Sequence, residues 1–255
     1  MGVADAYSFD GLTAEDLASL LDLPSVELLE KTTSTLDVAH QLGASGCGAG
    51  TLVLAEHQSA GRGRSGSKWT SPAAHGLWLT IIERPADTSG IEVLALRVGL
   101  RSARALDRFA PEPIRLKWPN DLYVESRKLG GILIEARWRE NRLEWIAIGI
   151  GVNVTAPADV PFAAALDSGT VRVEVLTDLI PALREAAAAS GQLTPIELIE
   201  WNARDIARGR HCVEPAKGVV EGISSNGELL VALADSVARF RSGSLVLDPP
   251  ITTDA

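Results

Sequence analysis

Three basic side chains, Arg62, Arg64 and Lys68, fall within the segment GRGRSGSKW (residues 61–69), and no carboxylate lies between Glu56 and Glu83. Glycines at 61, 63 and 66 let backbone amides approach a ligand closely. Arginine adds a planar, permanently charged fork that matches phosphate or carboxylate. The chemistry this pattern suits is anion binding. Two familiar glycine patterns come close and fail. Gly61, Gly63 and Gly66 satisfy G-x-G-x-x-G, but a dinucleotide fingerprint must open a helix, and KWTSP (residues 68–72) does not start one. A Walker loop needs lysine directly after its last glycine, whereas Ser67 intervenes before Lys68. A flexible surface loop with incidental charge is the alternative this segment leaves open.

A second cluster follows in KWPNDL (residues 117–122) and RKLGGILIE (residues 127–135). Pro119 cannot continue a strand ladder and Asn120-Asp121 favours a bend, so a strand ends there in a turn. Lys128 begins the next strand, and Gly130 and Gly131 interrupt it, as glycines do where a ligand or another backbone comes close. A plain hairpin with a solvated Lys128 and a bulge at Gly130 fits the local pattern equally well.

The elements that must position these groups alternate along the chain. A helix opens at Thr13, its N-cap, with Asp16 at the capping-box position and Leu17, Leu20 and Leu21 on one face. Strands are expected at 26–30, 51–56 and 76–82, with a helix over 35–43 between the first two and loop over 59–75. A long helix is expected over 91–109, then strands at 114–118, 122–124, 131–137 and 143–152, then helices at 175–189 and 195–207. Beyond these, short strands at 217–223 and 228–233 flank Asn226-Gly227, a hairpin pair in which both residues tolerate positive φ. The pattern is that of an α+β protein: a mixed β-sheet with surrounding helices over 1–207, carrying a small all-β, barrel-like domain over 208–255. Trp78, Trp118, Trp138, Trp145 and Trp201 are expected in the core.

The chain's 255 residues suit one large domain or one plus an appendage, and 46% hydrophobic against 22% charged residues excludes disordered and collagenous classes. Lysine and arginine total 24 against 33 acidic residues, a net charge of -9, so no global field draws the chain to nucleic acid or anionic lipid. Any bound anion must be held by a local basic cluster. Cys47 and Cys212 form no CxxC pair and the four histidines have no ligand spacing, which argues against a disulfide framework or a structural zinc site. The first residues lack the basic and apolar stretches of a signal peptide, and no uncharged run could span a bilayer. A cytoplasmic protein without membrane contact is expected.

Taken together, Ser34-Thr35, AEHQSAGRGRSGSKWTSP (residues 55–72), KWPNDL, RKLGGILIE and GIGVNV (residues 149–154) resemble the biotin–protein ligase family, also called biotin–[acetyl-CoA-carboxylase] ligases, in order and spacing. GISSNGELLV (residues 222–231) is more loosely similar to that family's SH3-like C-terminal domain. The resemblance implies a catalytic domain of the class II aminoacyl-tRNA synthetase and biotin ligase type. It also implies an activity: ATP-dependent attachment of biotin to a lysine of a biotin carboxyl carrier domain, through biotinyl-5'-AMP. On the same resemblance Lys128 and Arg64 are catalytic. Ser34, Thr35, Leu36, Gln58, Gly61, Arg62, Gly63, Arg64, Lys128, Gly130 and Gly131 match the biotin slot. Trp69, Asn120, Asp121 and Asn153 match nucleotide contacts, although Trp69 as core and Asn153 as a strand-end cap are the competing structural readings. ATP and Mg2+ are implied, with no metal ligands assigned, and no DNA contact is expected because the residues before the first strand are acidic and offer no recognition helix. A weak homodimer is left open. Two departures stand out: Ser67 replaces a common arginine, and Leu36 follows Ser-Thr where Asn or Met is usual.

Overall fold

In a computed structural model that describes residues 7–250, the apolar runs assemble into one large and one small sheet. The large unit comprises α1 (Ala14–Leu20), β1 (Ser25–Thr32), α2 (Thr35–Ala44), β2 (Thr51–Gln58), β3 (Gly76–Glu83), α3 (Leu94–Leu106), β4 (Arg115–Lys117), β5 (Asp121–Val124), β6 (Arg127–Arg139), β7 (Arg142–Asn153), α4 (Arg172–Ala188) and α5 (Pro195–Arg204). Its seven strands lie in the order β1-β2-β3-β7-β6-β5-β4. Only β1 and β2 run parallel; the other neighbours are antiparallel. Every residue of β3 is buried, so the strand reads as a continuous apolar run rather than an alternation. Helices explain this: α3 and α4 belong to the main core on one face, while α2 covers the other through Leu36 and Ala39, packed with Val53, Ile82, Trp145 and Ala147.

The small sheet holds β8 (His211–Glu214), β9 (Gly218–Ile223), β10 (Leu229–Ala232), β11 (Val237–Phe240) and β12 (Val246–Asp248), antiparallel in the order β11-β10-β9-β8-β12. Its β9–β10 turn seats on the large unit. The Trp118 indole N–H donates to the Gly227 carbonyl at 3.1 Å. A Cβ at Gly227 would come 2.9 Å from Leu96 Cδ1.

Several expectations are corrected in detail. Of the Asn226-Gly227 pair only Gly227 is left-handed (φ 79), because Gly227 N–H bonds Ser224 O and Ser224 N–H bonds Glu228 O, closing a turn that needs one such residue. The helix expected over 91–109 is α3 flanked by single tight turns at Ile91–Val93 and Asp107–Phe109. There the Asp107 carboxylate is drawn away to Ile114 N–H and Arg204. Helix α5 stops at Arg204 rather than 207, since Ile206 N–H bonds Leu116 O beside β4. Leu17 and Leu21 are buried, but Leu20 is 49% exposed on the short α1. Trp138 is 46% exposed because the β6–β7 hairpin runs past the neighbouring strands.

Candidate functional site

A cavity of about 990 Å³ opens on the α2 face of the large sheet, and both Arg64 and Lys128 line it. Beneath it lie two cross-strand rows, of which Leu133, Gly149, Gly151, Gly131 and Asp121 reach its lining. One runs Val53–Thr80–Gly149–Leu133, the other Ala55–Trp78–Gly151–Gly131–Asp121. The glycines fit there for a steric reason. A Cβ on Gly151 would lie 2.5 Å from Trp69 Nε1, and one on Gly149 would lie 3.1 Å from Leu36 Cδ1. Bare backbone therefore lets Trp69 and Leu36 lie flat against the sheet.

The cations of the site differ in what holds them. Lys128 Nζ lies 2.8 Å from Asp121 Oδ1 and 5.5 Å from the Trp69 ring centroid. Its backbone is pinned by Phe162 O at 3.2 Å and Ala164 N–H at 2.8 Å. Among the described residues Arg64 Nη1 donates to two neutral acceptors, Asn120 Oδ1 and Gly243 O, each at 3.4 Å. Asn120 is aimed by its own Nδ2, which donates to Ile132 O at 2.7 Å. Arg62 is turned aside: it pairs with Asp37 at 2.8 Å and with Glu135, which also holds His40 at 2.8 Å. The unpaired cationic island read from residues 57–82 is thus partly neutralised, by carboxylates that α2 and β6 bring from elsewhere. Ser67 serves the loop itself. Its hydroxyl donates to Arg64 O at 2.8 Å and its carbonyl accepts Gly63 N–H at 2.8 Å, around a turn with Ser65 and Gly66 left-handed.

The polar wall stands at the N-terminus of α2. Ser34 is the N-cap, yet its side chain makes no cap hydrogen bond, and it lines the cavity. Gln58 Oε1 accepts Thr35 N–H at 2.9 Å, and Gln58 Nε2 donates to Ser71 Oγ at 2.8 Å. The base of the glycine loop is tied by Glu56, which accepts from Arg172, Tyr7 and Ala74 N–H. Burial alone would raise the Glu56 carboxyl, but these donors outweigh it and hold the group below its ordinary value.

Gly61 and Gly130 do not line the cavity. Gly61 is packed under the Trp69 carbonyl, and Gly130 faces the opposite side, 2.7 Å (as a Cβ) from Gly151 O and next to Leu122. Ser34, Thr35, Leu36, Gln58, Arg62, Gly63, Arg64, Trp69, Asn120, Asp121, Lys128, Gly131 and Asn153 all line it. Asn153 also ties the strand end, Nδ2 donating to Ala164 O at 3.1 Å. Trp69 packs edge-on to Trp78 at 6.4 Å, and its Nε1 is buried without a hydrogen-bond partner among the described residues. Sequence reasoning missed two walls. One is the 157–163 segment, where Phe162 is half-exposed with φ 62; the other is Ser244, Leu245 and Val246 of the small domain. The prolines at 157 and 161 after GVNV were the one local signal for the first; the second has none. Among the described residues no three His, Cys, Asp or Glu side chains gather as a metal site.

A model of the biotin/lipoate A/B protein ligase family matches residues 27–153. The bifunctional ligase/repressor BirA of Escherichia coli is 38% identical over 151 residues, which are 56% of this chain and 44% of that protein. The chain thus spans less than half the length of the ligase/repressors it matches. The biotin–[acetyl-CoA-carboxylase] ligase of Paracoccus denitrificans is 31% identical over 234 residues, 80% of this chain and 92% of that one. Among solved structures, the Aquifex aeolicus biotin protein ligase in complex with biotin and ATP superposes with a TM-score of 0.70 at 24% identity, covering 87% of this chain and 97% of that one. The Leishmania major enzyme with biotinyl-5-AMP gives 0.58 at 26% identity, over 85% and 98% of the two chains.

Proposed function

The chain belongs to the biotin protein ligase family, and from that premise we propose that it attaches biotin to a lysine of a biotin carboxyl carrier domain at the expense of ATP. In the first step a biotin carboxylate oxygen attacks the α-phosphorus of ATP, the bond to the β-phosphate oxygen breaks, and pyrophosphate leaves. In the second the carrier lysine amine attacks the acyl carbon of biotinyl-5'-AMP, AMP departs, and the amine gives up a proton. Both steps crowd anionic oxygens together, so catalysis rests on fixed cations and donors. Lys128 and Arg64 supply the charge, Asn120 and Asp121 hold them in place, and Trp69 offers a face for the nucleotide.

The observation that carries this reading is the convergence of Arg64, Lys128 and the Ser34–Thr35–Gln58 wall on one cavity. With Asp121 the one carboxylate among its lining residues, we place Mg2+ on the ATP phosphates rather than in a protein cage. ATP as substrate suits a cytoplasmic reaction, and no helix among the described residues is long and apolar enough to cross a membrane. DNA binding is no part of this reading, given the net charge of -9. Residues 1–207 form the catalytic unit in this reading and 208–255 the small domain that walls its cavity. Mass spectrometry of a carrier domain incubated with biotin, Mg-ATP and this protein tests the proposal. One added biotinyl group is expected; mass gain with lipoate and none with biotin would reassign the substrate.

A further inference from the structure

Beneath the polar wall lies a side chain that never reaches the cavity surface. Thr80 on β3 is 0% exposed, and its hydroxyl lies 2.9 Å from Thr35 Oγ1. It sits in the floor row between Val53 and Gly149. Donor and acceptor capacities fix its place in a chain of hydrogen bonds. The Thr35 backbone N–H can only donate, so the Gln58 atom it meets at 2.9 Å must be the carbonyl oxygen. That fixes the amide: Nε2 faces Ser71 Oγ at 2.8 Å, and the Ser71 hydroxyl passes its proton to Trp69 O at 3.4 Å. Thr35 Oγ1 also contacts that carbonyl oxygen, at 3.2 Å, so its single proton is spent there. The proton between the two threonines must then come from Thr80.

The remaining capacities follow. Gln58 Oε1 has both lone pairs engaged, Gln58 Nε2 keeps one free N–H, and Thr35 Oγ1 keeps one free lone pair. The wall therefore presents one acceptor and one donor side by side, with the uncommitted Ser34 hydroxyl next to them. A ligand group carrying an N–H beside a C=O, as in a cyclic urea, complements that pattern. A group offering two acceptors does not. Were Thr80 apolar, the Thr35 hydroxyl would keep its bond to Gln58 but lose its fixed polarity, since its second lone pair would face hydrocarbon.

We propose that Thr80 is a positioning residue for ligand specificity: it donates to Thr35 and thereby sets the donor–acceptor pattern with which Thr35 and Gln58 receive the ureido ring. The inference rests on the biotin ligase reading. It is tested by calorimetric titration of biotin and of ATP into wild type, Thr80→Val and Thr80→Ser. Loss of one hydrogen bond's worth of preorganisation predicts about a five- to tenfold weaker biotin Kd for Thr80→Val. ATP affinity should stay within about twofold, and Thr80→Ser should restore most of the biotin affinity. In a Thr35→Val background, Thr80→Val should add nothing further, because the pair acts as a unit. Equal losses for biotin and ATP, additive effects of the two valines, or no rescue by serine would overturn the proposal. If Thr80→Val does not fold, Thr80→Ala is titrated in its place, and unchanged biotin affinity there overturns the proposal. Wild type that binds no biotin would overturn the functional reading and this inference with it. Wild type that binds biotin while Thr80→Val binds it equally well overturns the inference alone.

Discussion

Replacing Lys128 by alanine removes the cation that the proposed mechanism sets beside the reacting carboxylate and phosphate, and its surroundings fix the expected cost. Its Nζ stands 2.8 Å from Asp121 Oδ1, with the two side chains 32% and 20% exposed. At about 4 Å and an effective dielectric near 20, a unit charge contributes on the order of 4 kcal/mol. Removal of one charge-stabilising donor from an active site costs about 2.7–4 kcal/mol, or 10²- to 10³-fold in rate. Alanine also leaves Asp121 as an uncompensated carboxylate facing two incoming anions. With partial exposure screening that repulsion to roughly 1 kcal/mol, a further factor of about five is expected. Biotin-dependent exchange of pyrophosphate into ATP should therefore fall by about three orders of magnitude, with the melting temperature little changed. Adding Asp121→Asn to the alanine variant removes the repulsion and should recover about fivefold. Exchange within about twofold of wild type for Lys128→Ala would refute the catalytic assignment. A double variant slower than the single one would refute the electrostatic account of Asp121.

Gly151→Ala places a methyl 2.5 Å from Trp69 Nε1 and 2.7 Å from Cε2. The indole must lift off the floor at a cost of about 1–3 kcal/mol. A lower melting temperature together with at least about tenfold weaker nucleotide binding is expected; an unchanged variant would mean the floor yields freely. At the junction after α5, Asp205 Oδ2 is buried without a partner among the described residues. Burial pushes its carboxyl from 3.8 up to about 6, against the weaker pull of the Ala207 N–H and of Arg115 and Arg208. The unfolded chain ionises first, so this group lowers stability as pH rises from about 4 to about 6, by about 3 kcal/mol, and the loss persists above. Denaturant titrations of wild type and Asp205→Asn should show the variant gaining relative stability over that window, and a flat difference would count against a buried, ionising Asp205.

Most of the large unit could be read from local pattern, because its signals are physical and local. Thr13 and Asp16 do form the capping box, and the runs at 51–56 and 76–82 do form buried strands. What failed depends on partners distant in sequence. The α-helix tightens into a 3-10 turn at Asp107, whose carboxylate is claimed by Ile114 N–H and Arg204. Trp138 is exposed because strands β3 and β5 stop short of it. The site divides in the same way. The glycines and cations of residues 61–69 and 117–135 marked out residues that the fold gathers around one cavity, but not which of two alternating faces each glycine would take. Gly131 faces the cavity and Gly130 does not, as the strand's two-residue period requires. Nor could charge counting along the chain show that Asp37 and Glu135 would meet Arg62.

That pairing ranks the site's cations by how readily each can turn to a ligand. Arg62 is held by two carboxylates and Lys128 by one, whereas Arg64 rests on two neutral acceptors at 3.4 Å. The weaker the existing bond, the smaller the cost of exchanging it for a phosphate or carboxylate, so on the proposed function Arg64 is the group expected to turn to an incoming anion first. Arg62 instead anchors the loop to α2 and β6. The two arginines, two residues apart and alike in sequence context, should therefore answer alanine differently. Arg64→Ala loses a charge-assisted bond to the reacting groups, worth about 1.5–3 kcal/mol, and pyrophosphate exchange should fall roughly ten- to a hundredfold at unchanged stability. Arg62→Ala breaks pairs that are 38% exposed on the arginine side, each worth about 0–1 kcal/mol, so it should cost a few degrees of melting temperature and less of the exchange rate. Parallel thermal scans and exchange assays separate the two. If Arg62→Ala proved the more damaging to exchange, the ion pairs with Asp37 and Glu135 would have to open in the working enzyme, and the ranking by present partners would be wrong.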